Sequence, residues 1–519
     1  MKFNNLVISV GLAFLTTITL HYFFGSKPQI DQQLATQSGQ KFIAPKEVEV
    51  EINKPLNLEV DFFDEYSRQI PVVTNLETEY ARYSFSTEAA SLKHAEFKKN
   101  WGGQAGYLST IFPPSNVEKE RLCFLVALNK KTPYHFTLLD KQESNETFKL
   151  TYKSDFDGGF LYKIFTIYKH TYQIDLTITL EPKNANESWQ PRIFFANPIV
   201  PELEKNDTVS GIVNDAKNSV IINQKTEETL STYWSKPTLF GAQDRYFVHA
   251  LVNDNNQFAQ RAYYKIFDLE SLYSIIEGPS VLEKTTWTVS FYIGPKTDEA
   301  MRTVDERLIQ TLNYGFLAPI SRPVSKILLK ALNAIYDYCK NYGVAIIILT
   351  ILMKLFLVLF TFKDGKNLKK RSEFNKKLKH LEEKYKHDKT AFNAARAELI
   401  TKNGLPGLSG CLPLLIQMPL FLALSLVVSN SIELYKASFL WIPDLTAADP
   451  YFILPVLTAL AMLLHAPIQE DPKQSMNSII IALVLGAFTA NLAAGVALYF
   501  LVNTAFTVMQ TTITKRFIQ

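Results

Sequence analysis

The spacing of apolar positions divides the chain in two. From about residue 48 to residue 305 the dominant period is two. Segments 162–168 (YKIFTIY) and 172–180 (YQIDLTITL) alternate apolar and polar side chains around a turn at His170. Asp157-Gly158-Gly159 supplies another turn, and 288–293 (TVSFYI) runs into Gly294-Pro295, which reads as a strand stop. No helix-period run of comparable strength precedes about Thr303, so this part predicts a large antiparallel β-sandwich. Elsewhere the apolar residues form continuous runs: 6–24, 343–362, 412–432, 451–464, 476–488 and 492–508. Such runs predict membrane-spanning helices, and the last three are short for a hydrocarbon core of ~30 Å. Short spans imply a thinned bilayer or a water-filled inlet. Asn491, with Gly495 four residues on, marks a tight turn between two antiparallel spans.

Two further segments have helical period without being continuously apolar. In 322–340, Val324, Ile327, Leu328, Ala331, Leu332 and Ile335 form one face, while Lys326, Lys330, Asn333 and Asp337 form the other. This predicts an amphipathic helix lying at a membrane interface, or one packed on a domain, with Pro323 in its first turn. In 363–403, Phe374, Leu378, Leu381 and Tyr385 form one stripe and Phe392, Ala395 and Leu399 a second, on either side of Asp388. The two stripes predict a helical hairpin.

One charge interrupts the apolar pattern. Lys354 lies near the middle of 343–362 (GVAIIILTILMKLFLVLFTF), one turn after Thr350. Its distance to the end of that run is ~12 Å at a helical rise of ~1.5 Å per residue. A lysine stem covers about half of that by snorkelling. A charge left in hydrocarbon costs at least ~2.5 kcal/mol, so Lys354 is expected to face a polar cavity or partner. The alternative is a snorkelled lysine without function.

Charge then orients the segments. Residues 363–403 hold 13 Lys/Arg against 6 Asp/Glu, whereas the loop 443–450 holds Asp444 and Asp449 and no basic residue. The positive-inside rule places 363–403 in the cytoplasm and 443–450 outside. Residues 25–341 then lie outside, with the amino terminus and Lys515-Arg516 inside. Lys2 followed by the run 6–24, without a small-x-small cleavage site, reads as an uncleaved signal anchor rather than a removed signal peptide. The stretch after it, rich in Gln, Ser, Pro and Lys, reads as a linker. A net charge of +4 over 519 residues gives no support to nucleic-acid binding, so no DNA partner is expected.

The outer domain shows no catalytic pattern. His94, His135, His170 and His249 are scattered without metal-ligand spacing, and there is no G-x-S-x-G, P-loop or CxxC. Cys123 is alone there, with Cys339 and Cys411 near the membrane segments, so no disulfide framework is expected. Asn145-Glu146-Thr147 and Asn206-Asp207-Thr208 fit the glycosylation pattern, a short motif that arises often by chance. Neither an enzyme activity nor a cofactor is implied.

Several motifs resemble the YidC family of membrane protein insertases in its Gram-negative form. They are 403–425 (NGLPGLSGCLPLLIQMPLFLALS), 439–445 (FLWIPDL), 449–455 (DPYFILP), Asp471-Pro472, Gly495, Leu498-Tyr499 and Asn503. Tyr314-Gly315-Phe316 and 320–323 (ISRP) belong to the same set, which extends over most of 314–510 in order and spacing. The family places one cationic residue in a hydrophilic groove, open to the cytoplasm and formed by five helices. The resemblance puts Lys354 in that position, where many members carry arginine. Lysine keeps the charge but lacks the bidentate fork. The resemblance further implies groove or substrate contacts at Thr350, Gln417, Met418, Phe421, Phe488, Tyr499, Phe500 and Asn503. Apart from the resemblance, the basic excess of 363–403 suggests cytoplasmic docking of a ribosome or nascent chain at Lys369, Lys370, Arg371, Lys376 and Lys377; a charged, solvated hairpin is the bland reading, compatible with it. Ala493-Ala494 replaces a Pro-Ser common in the family, a departure confined to the last turn.

The fold expected is thus a polytopic α-helical membrane protein of about six spans, five of them the insertase core, with a large extracytoplasmic antiparallel β-sandwich domain. The divisions expected are an anchor at 1–25, a linker at 26–47, the β-sandwich at 48–310 and the amphipathic helix at 311–341. A span at 342–362, a cytoplasmic hairpin at 363–403, spans at 404–514 and a tail at 515–519 complete them. The function implied is insertion and folding of inner-membrane proteins, alone or beside the Sec translocon. Its partners would be nascent membrane proteins, the ribosome and the phospholipid bilayer. A transporter using Lys354 as ligand is the first alternative, opposed by the lack of an internal repeat or intramembrane carboxylate. A membrane-anchored carbohydrate-binding protein or enzyme is the second, opposed by the lack of a paired catalytic group.

Overall fold

The computed structural model describes residues 60–62, 70–99, 106–111, 122–156, 158–184, 186–198, 209–215, 218–223, 233–268, 271–312, 318–361, 377–378, 380–386, 388–403, 406–465 and 472–518. The expected anchor at 1–25 and linker at 26–47 lie outside them. The described residues form two compact units, divided after Leu312.

The first unit is built on a nine-stranded sheet. Its order is Asn218–Asn223, Ser210–Asp215, Leu239–Gln243, Phe247–Asp254, Thr285–Pro295, Gln173–Pro182, Gly159–Tyr168, Thr147–Phe156 and Thr137–Glu143. Every pair in it is antiparallel. The alternation read at 172–180 has a direct physical meaning: Ile174, Leu176, Ile178 and Leu180 point into the core. On the other face Thr177 and Thr179 pair their hydroxyls with Thr288 and Thr286 across the strands, each at 2.9 Å. Gly294-Pro295 ends its strand, as expected: both residues still pair, with Val248 and Phe247, Pro295 is the terminal position, and Gly294 admits the Tyr172 ring.

Two smaller sheets complete the sandwich. One orders Val73–Glu77, Ala81–Ser86, Ser91–Lys99 and Gly106–Ile111; the other orders Trp234–Ser235, Arg261–Asp268, Ser271–Glu277, Pro191–Ala196 and Leu125–Leu128. Phe85 of the four-stranded sheet meets Phe165 of the nine-stranded sheet at 4.7 Å, and Phe195 of the five-stranded sheet meets Phe291 at 5.1 Å. Phe124 contacts both Phe165 and Phe291. The aromatic core thus joins all three sheets. Helix α1 (Asp298–Val304) follows, capped by the Thr297 hydroxyl, and begins at Asp298 rather than near Thr303.

The second unit is helical. It comprises α2 (Ala318–Cys339), α3 (Tyr342–Thr361), α4 (Lys389–Asn403), α5 (Pro406–Asn430), α6 (Ile453–His465), α7 (Pro472–Ala490) and α8 (Ala494–Ile518). The expected amphipathic helix is α2, with two corrections. It starts at Ala318, so Pro323 sits inside it rather than in its first turn. Its buried row is Ser321, Ser325, Leu328 and Leu332, while Ile327 is 68% exposed. Serine is small enough for close approach, and Ser325 Oγ donates to the Ala423 carbonyl of α5 at 3.1 Å. α2 also turns back onto α3: Lys340 adopts φ 53°, and the Tyr336 and Tyr342 rings stack at 4.0 Å.

The core of this unit gathers Leu332, Ile346, Leu424, Val428, Leu445 and Val496. The expected turn at Asn491 is present: α7 ends at Ala490 and α8 begins at Ala494. Gly495 packs closely there: a Cβ would lie 3.0 Å from Val428 and 3.2 Å from Ile346, so those side chains would have to give way slightly. The adjoining loop is held by its acids. Asp449 accepts from Leu454 N at 2.7 Å, capping α6, and from the Trp441 indole at 3.2 Å.

Helix lengths differ from the expected runs. Runs 476–488 and 492–508 become α7 of 19 residues and α8 of 25, whereas α6 keeps 13. At ~1.5 Å per residue α8 is ~37 Å long and α6 only ~20 Å. Among the described residues no helix is long and apolar enough to cross a membrane. The side chains of 358–362, 412–416 and 471–475, which the expected spans include or adjoin, lie outside those residues. In the hairpin region Asp388 caps α4, accepting from Thr390 N and Ala391 N at 3.0 Å each. Phe392, Ala395 and Leu399 form its half-buried stripe.

Candidate functional site

The sequence of α8 sets the site. Tyr499, Asn503 and Thr507 recur every four residues, so they line one face of that helix. The face continues the row of Gly495, whose lack of a side chain lets α8 approach its neighbours closely. Polar groups on this row reach two other helices. Gln417 of α5 donates through Nε2 to the Tyr499 hydroxyl at 3.2 Å and to Asn503 Oδ1. Lys354 of α3 donates through Nζ to Thr507 Oγ1 at 3.1 Å. The Thr507 hydroxyl in turn donates to the Asn503 backbone carbonyl at 2.8 Å. A polar seam therefore runs from α5 across α8 to α3.

Lys354 is half-buried, and among the described residues no carboxylate pairs with it. Leu352, Leu355 and Phe356 beside it on α3 are exposed. An ammonium with one side-chain oxygen partner keeps donors for another acceptor. Chemically the seam can hold a fixed positive charge next to neutral hydrogen-bonding groups. Among the described residues no group of three His, Cys, Asp or Glu converges to hold a metal.

An aromatic patch adjoins the seam. The Phe500 ring lies 4.9 Å from Phe421, 6.4 Å from Phe488 and 6.0 Å from Tyr499, all edge-to-face. Phe421, Phe488 and Phe500 are half-buried, one from each of α5, α7 and α8.

The structure thus gathers Lys354, Gln417, Tyr499 and Asn503 along the seam, and Phe421, Phe488 and Phe500 in the patch. Thr350 is instead buried, with its hydroxyl donating to its own helix at Ile346 O, 2.7 Å away. Met418 is exposed. Lys369, Lys370, Arg371 and Lys376 lie outside the described residues, and Lys377 is exposed. Thr507 was not anticipated from the sequence. The four-residue spacing after Asn503 is the signal that identifies it.

The first unit contains two polar groups that the sequence did not single out as structural. Lys163 is fully buried, and its Nζ donates to the carbonyls of Ala89 at 2.8 Å, Ala90 at 2.5 Å and Phe124 at 2.5 Å. Burial pushes its pKa well below the usual lysine value. His249 is also fully buried, with Nδ1 3.0 Å from the Ala196 carbonyl and Nε2 3.2 Å from Thr110 Oγ1. Burial pushes its pKa down to about 4.

Comparison with known proteins places both units. Residues 74–327 match the family model described as YidC periplasmic domain, and residues 334–519 match that described as 60Kd inner membrane protein. A protein of Geotalea daltonii named membrane protein insertase YidC is 32% identical over 274 residues, 51% of this chain and 51% of that protein. The chain thus spans about half the length of such curated relatives. A Syntrophus aciditrophicus protein of the same name is 27% identical over 422 residues, 78% of this chain and 74% of that protein. A crystal structure described as an active YidC insertase with its first transmembrane domain resolved has 19% identity and a TM-score of 0.38, covering 87% of this chain and 94% of that one. The two family models and the curated relatives agree with the motifs quoted from 314 to 510: the chain belongs to the YidC family.

Proposed function

We propose that this chain is a membrane protein insertase and chaperone of the bacterial inner membrane. In this reading six helices cross the bilayer, five of them forming the core, and the β-sheet unit lies in the periplasm. The seam of Gln417, Tyr499, Asn503, Thr507 and Lys354 then lines a hydrated groove open to the cytoplasm. A polar path of this kind shortens the hydrocarbon that the tail of a nascent protein must cross. Lys354 attracts acidic residues of that tail, an interaction strengthened where water is scarce. Phe421, Phe488 and Phe500 then receive apolar segments on their way into lipid, where burial stabilises them by ~0.8 kcal/mol per methylene.

The observation that carries the reading is the half-buried Lys354, joined to α8 by a neutral hydroxyl and paired with no carboxylate among the described residues. An acidic tail would supply the missing counter-charge. The basic segment 363–403 fits a ribosome or nascent-chain docking surface, through Lys369, Lys370, Arg371, Lys376 and Lys377. Cooperation with the Sec translocon is part of the same proposal. The test is photocrosslinking from positions 354, 421 and 488 to stalled nascent membrane proteins, together with integration of labelled small substrates after depletion. Absence of crosslinks from all three positions, with integration unaffected by depletion, would reject the reading.

A further inference from the structure

We propose that Thr507 is a positioning residue for Lys354, holding its ammonium at the seam between α3 and α8. Three observations lead to this. First, Lys354 Nζ lies 3.1 Å from Thr507 Oγ1. Second, the orientation of that hydroxyl is fixed. Its proton goes to the Asn503 carbonyl at 2.8 Å, one turn back, so a lone pair remains for the ammonium. Third, Asn503 is itself held through its side chain by Gln417 of α5. Lys354 is thus oriented by Thr507, whose own hydroxyl is set by the α8 backbone, on a helix that Gln417 ties to α5 through the Asn503 side chain. Without this acceptor the flexible stem can turn toward the exposed side of α3, where Leu352 and Leu355 are aliphatic.

The inference rests on the reading of Lys354 as the cation that draws acidic tails, so its test has two arms. The first does not depend on insertion. The full chain in lipid nanodiscs is treated with acetic anhydride, and acetylation at Lys354 is followed by mass spectrometry. Thr507→Val keeps the shape and removes the acceptor, and should raise the acetylation rate roughly five-fold, the factor that one ordinary hydrogen bond is worth. Thr507→Ser, which keeps the hydroxyl, should restore the wild-type rate. An unchanged rate in Thr507→Val, or equal rates in the two variants, overturns the proposal.

The second arm measures insertion of one small substrate with its tail acids present or neutralised. Thr507→Val should slow the acidic substrate several-fold and spare the neutral one. In a Lys354→Ala background it should have no further effect. An equal loss on both substrates, or a loss that adds to that of Lys354→Ala, makes Thr507 a packing residue or a direct substrate contact and overturns the proposal. If Lys354→Ala itself impairs both substrates alike, the electrostatic reading of the function fails, and the acetylation arm alone decides the role of Thr507.

Discussion

Two buried or half-buried lysines, one in each unit, lack a carboxylate partner among the described residues, and their surroundings differ in kind. In the β-sheet unit Lys163 gives its three ammonium protons to three backbone carbonyls. Those carbonyls belong to Ala89, Ala90 and Phe124, with φ of 52°, 40° and 66°. Lys163 lies on the nine-stranded sheet, the two alanines on the turn between strands of the four-stranded sheet, and Phe124 just before a strand of the five-stranded one. One cation therefore ties three sheets together and compensates three left-handed residues. Lys354 has a single hydroxyl partner from a neighbouring helix. A lysine whose donors are all taken by backbone is a structural tie. A lysine with donors to spare is available to something that arrives.

The largest effect expected from this contrast is at Lys163. Lys163→Met keeps the length of the side chain but orphans three buried carbonyls. At ~1–3 kcal/mol for each unsatisfied group, the loss is at least ~3 kcal/mol. The left-handed turns at Ala89, Ala90 and Phe124 then lose the contact that offsets their strain. Calorimetry on the full chain should show a lowered transition for the β-sheet unit. An unchanged transition would mean that water replaces the ammonium at no cost, and the tie would have no energetic weight.

His249 is the neutral counterpart of that tie, again joining three sheets, through Thr110 and Ala196. Its folded pKa of about 4 lies below the unfolded value, so the proton binds preferentially to the unfolded chain. The stability it contributes is complete above ~6.5 and is lost as pH falls toward about 4. At ~1.4 kcal/mol per pKa unit this amounts to about 3 kcal/mol, slightly below the effect at Lys163. Denaturation of the full chain across this window should show the loss, and His249→Gln should reduce the slope. Identical slopes would show that the imidazole takes up its proton over the same pH range in both states.

The contrast between the two lysines also separates what the sequence reveals from what it conceals. The strand at 172–180 is legible because its buried row is wholly aliphatic: Ile174, Leu176, Ile178 and Leu180. The strand at 162–168 is legible as a strand but misleading in its faces, because its buried row is Leu161, Lys163, Phe165 and Ile167. Periodicity assigns a lysine to the solvent side, and only the carbonyls of two distant turns reverse that assignment. Likewise, 322–340 shows its helix but not its contact row, since Ser321 and Ser325 are polar yet buried by close packing. Lys354 stands out for the opposite reason. Its surroundings in sequence are so apolar that the charge has no local explanation, whereas Thr507, an ordinary threonine in the last helix, acquires meaning only through the partner 153 positions away.

At Lys354 the expected effects fall on function rather than on folding. Lys354→Arg should keep most activity, because it preserves the charge. Lys354→Ala should lower insertion of a substrate with acidic tail residues by about ten-fold, equivalent to ~1.4 kcal/mol, and spare the same substrate with those residues neutralised. Lys354→Glu should be the most impaired, since it sets a carboxylate where an incoming carboxylate must pass. If Lys354 served only to join α3 to α8, every non-basic variant would lose stability and substrate charge would be irrelevant. Insertion assays with variant levels checked by blot separate the two cases.

The smallest effect should come from removing the β-sheet unit altogether. Its buried cation and histidine are fully engaged in joining its own sheets, and the polar seam is built wholly from α3, α5 and α8. A deletion ending at residue 284 would be a poor test. It would leave Thr285–Pro295, an 11-residue strand whose apolar side chains are buried against partners that no longer exist. That orphaned edge would favour aggregation. Removing residues 53–312 follows the division between the units and avoids the fault. With residues 1–52 retained ahead of α2, this deletion should keep more than about half of insertion activity, a change below ~0.5 kcal/mol in the rate-limiting barrier. Complete loss of insertion by a deletion variant present at wild-type level would show that the β-sheet unit takes part in insertion, and the division of labour drawn between the two lysines would fail.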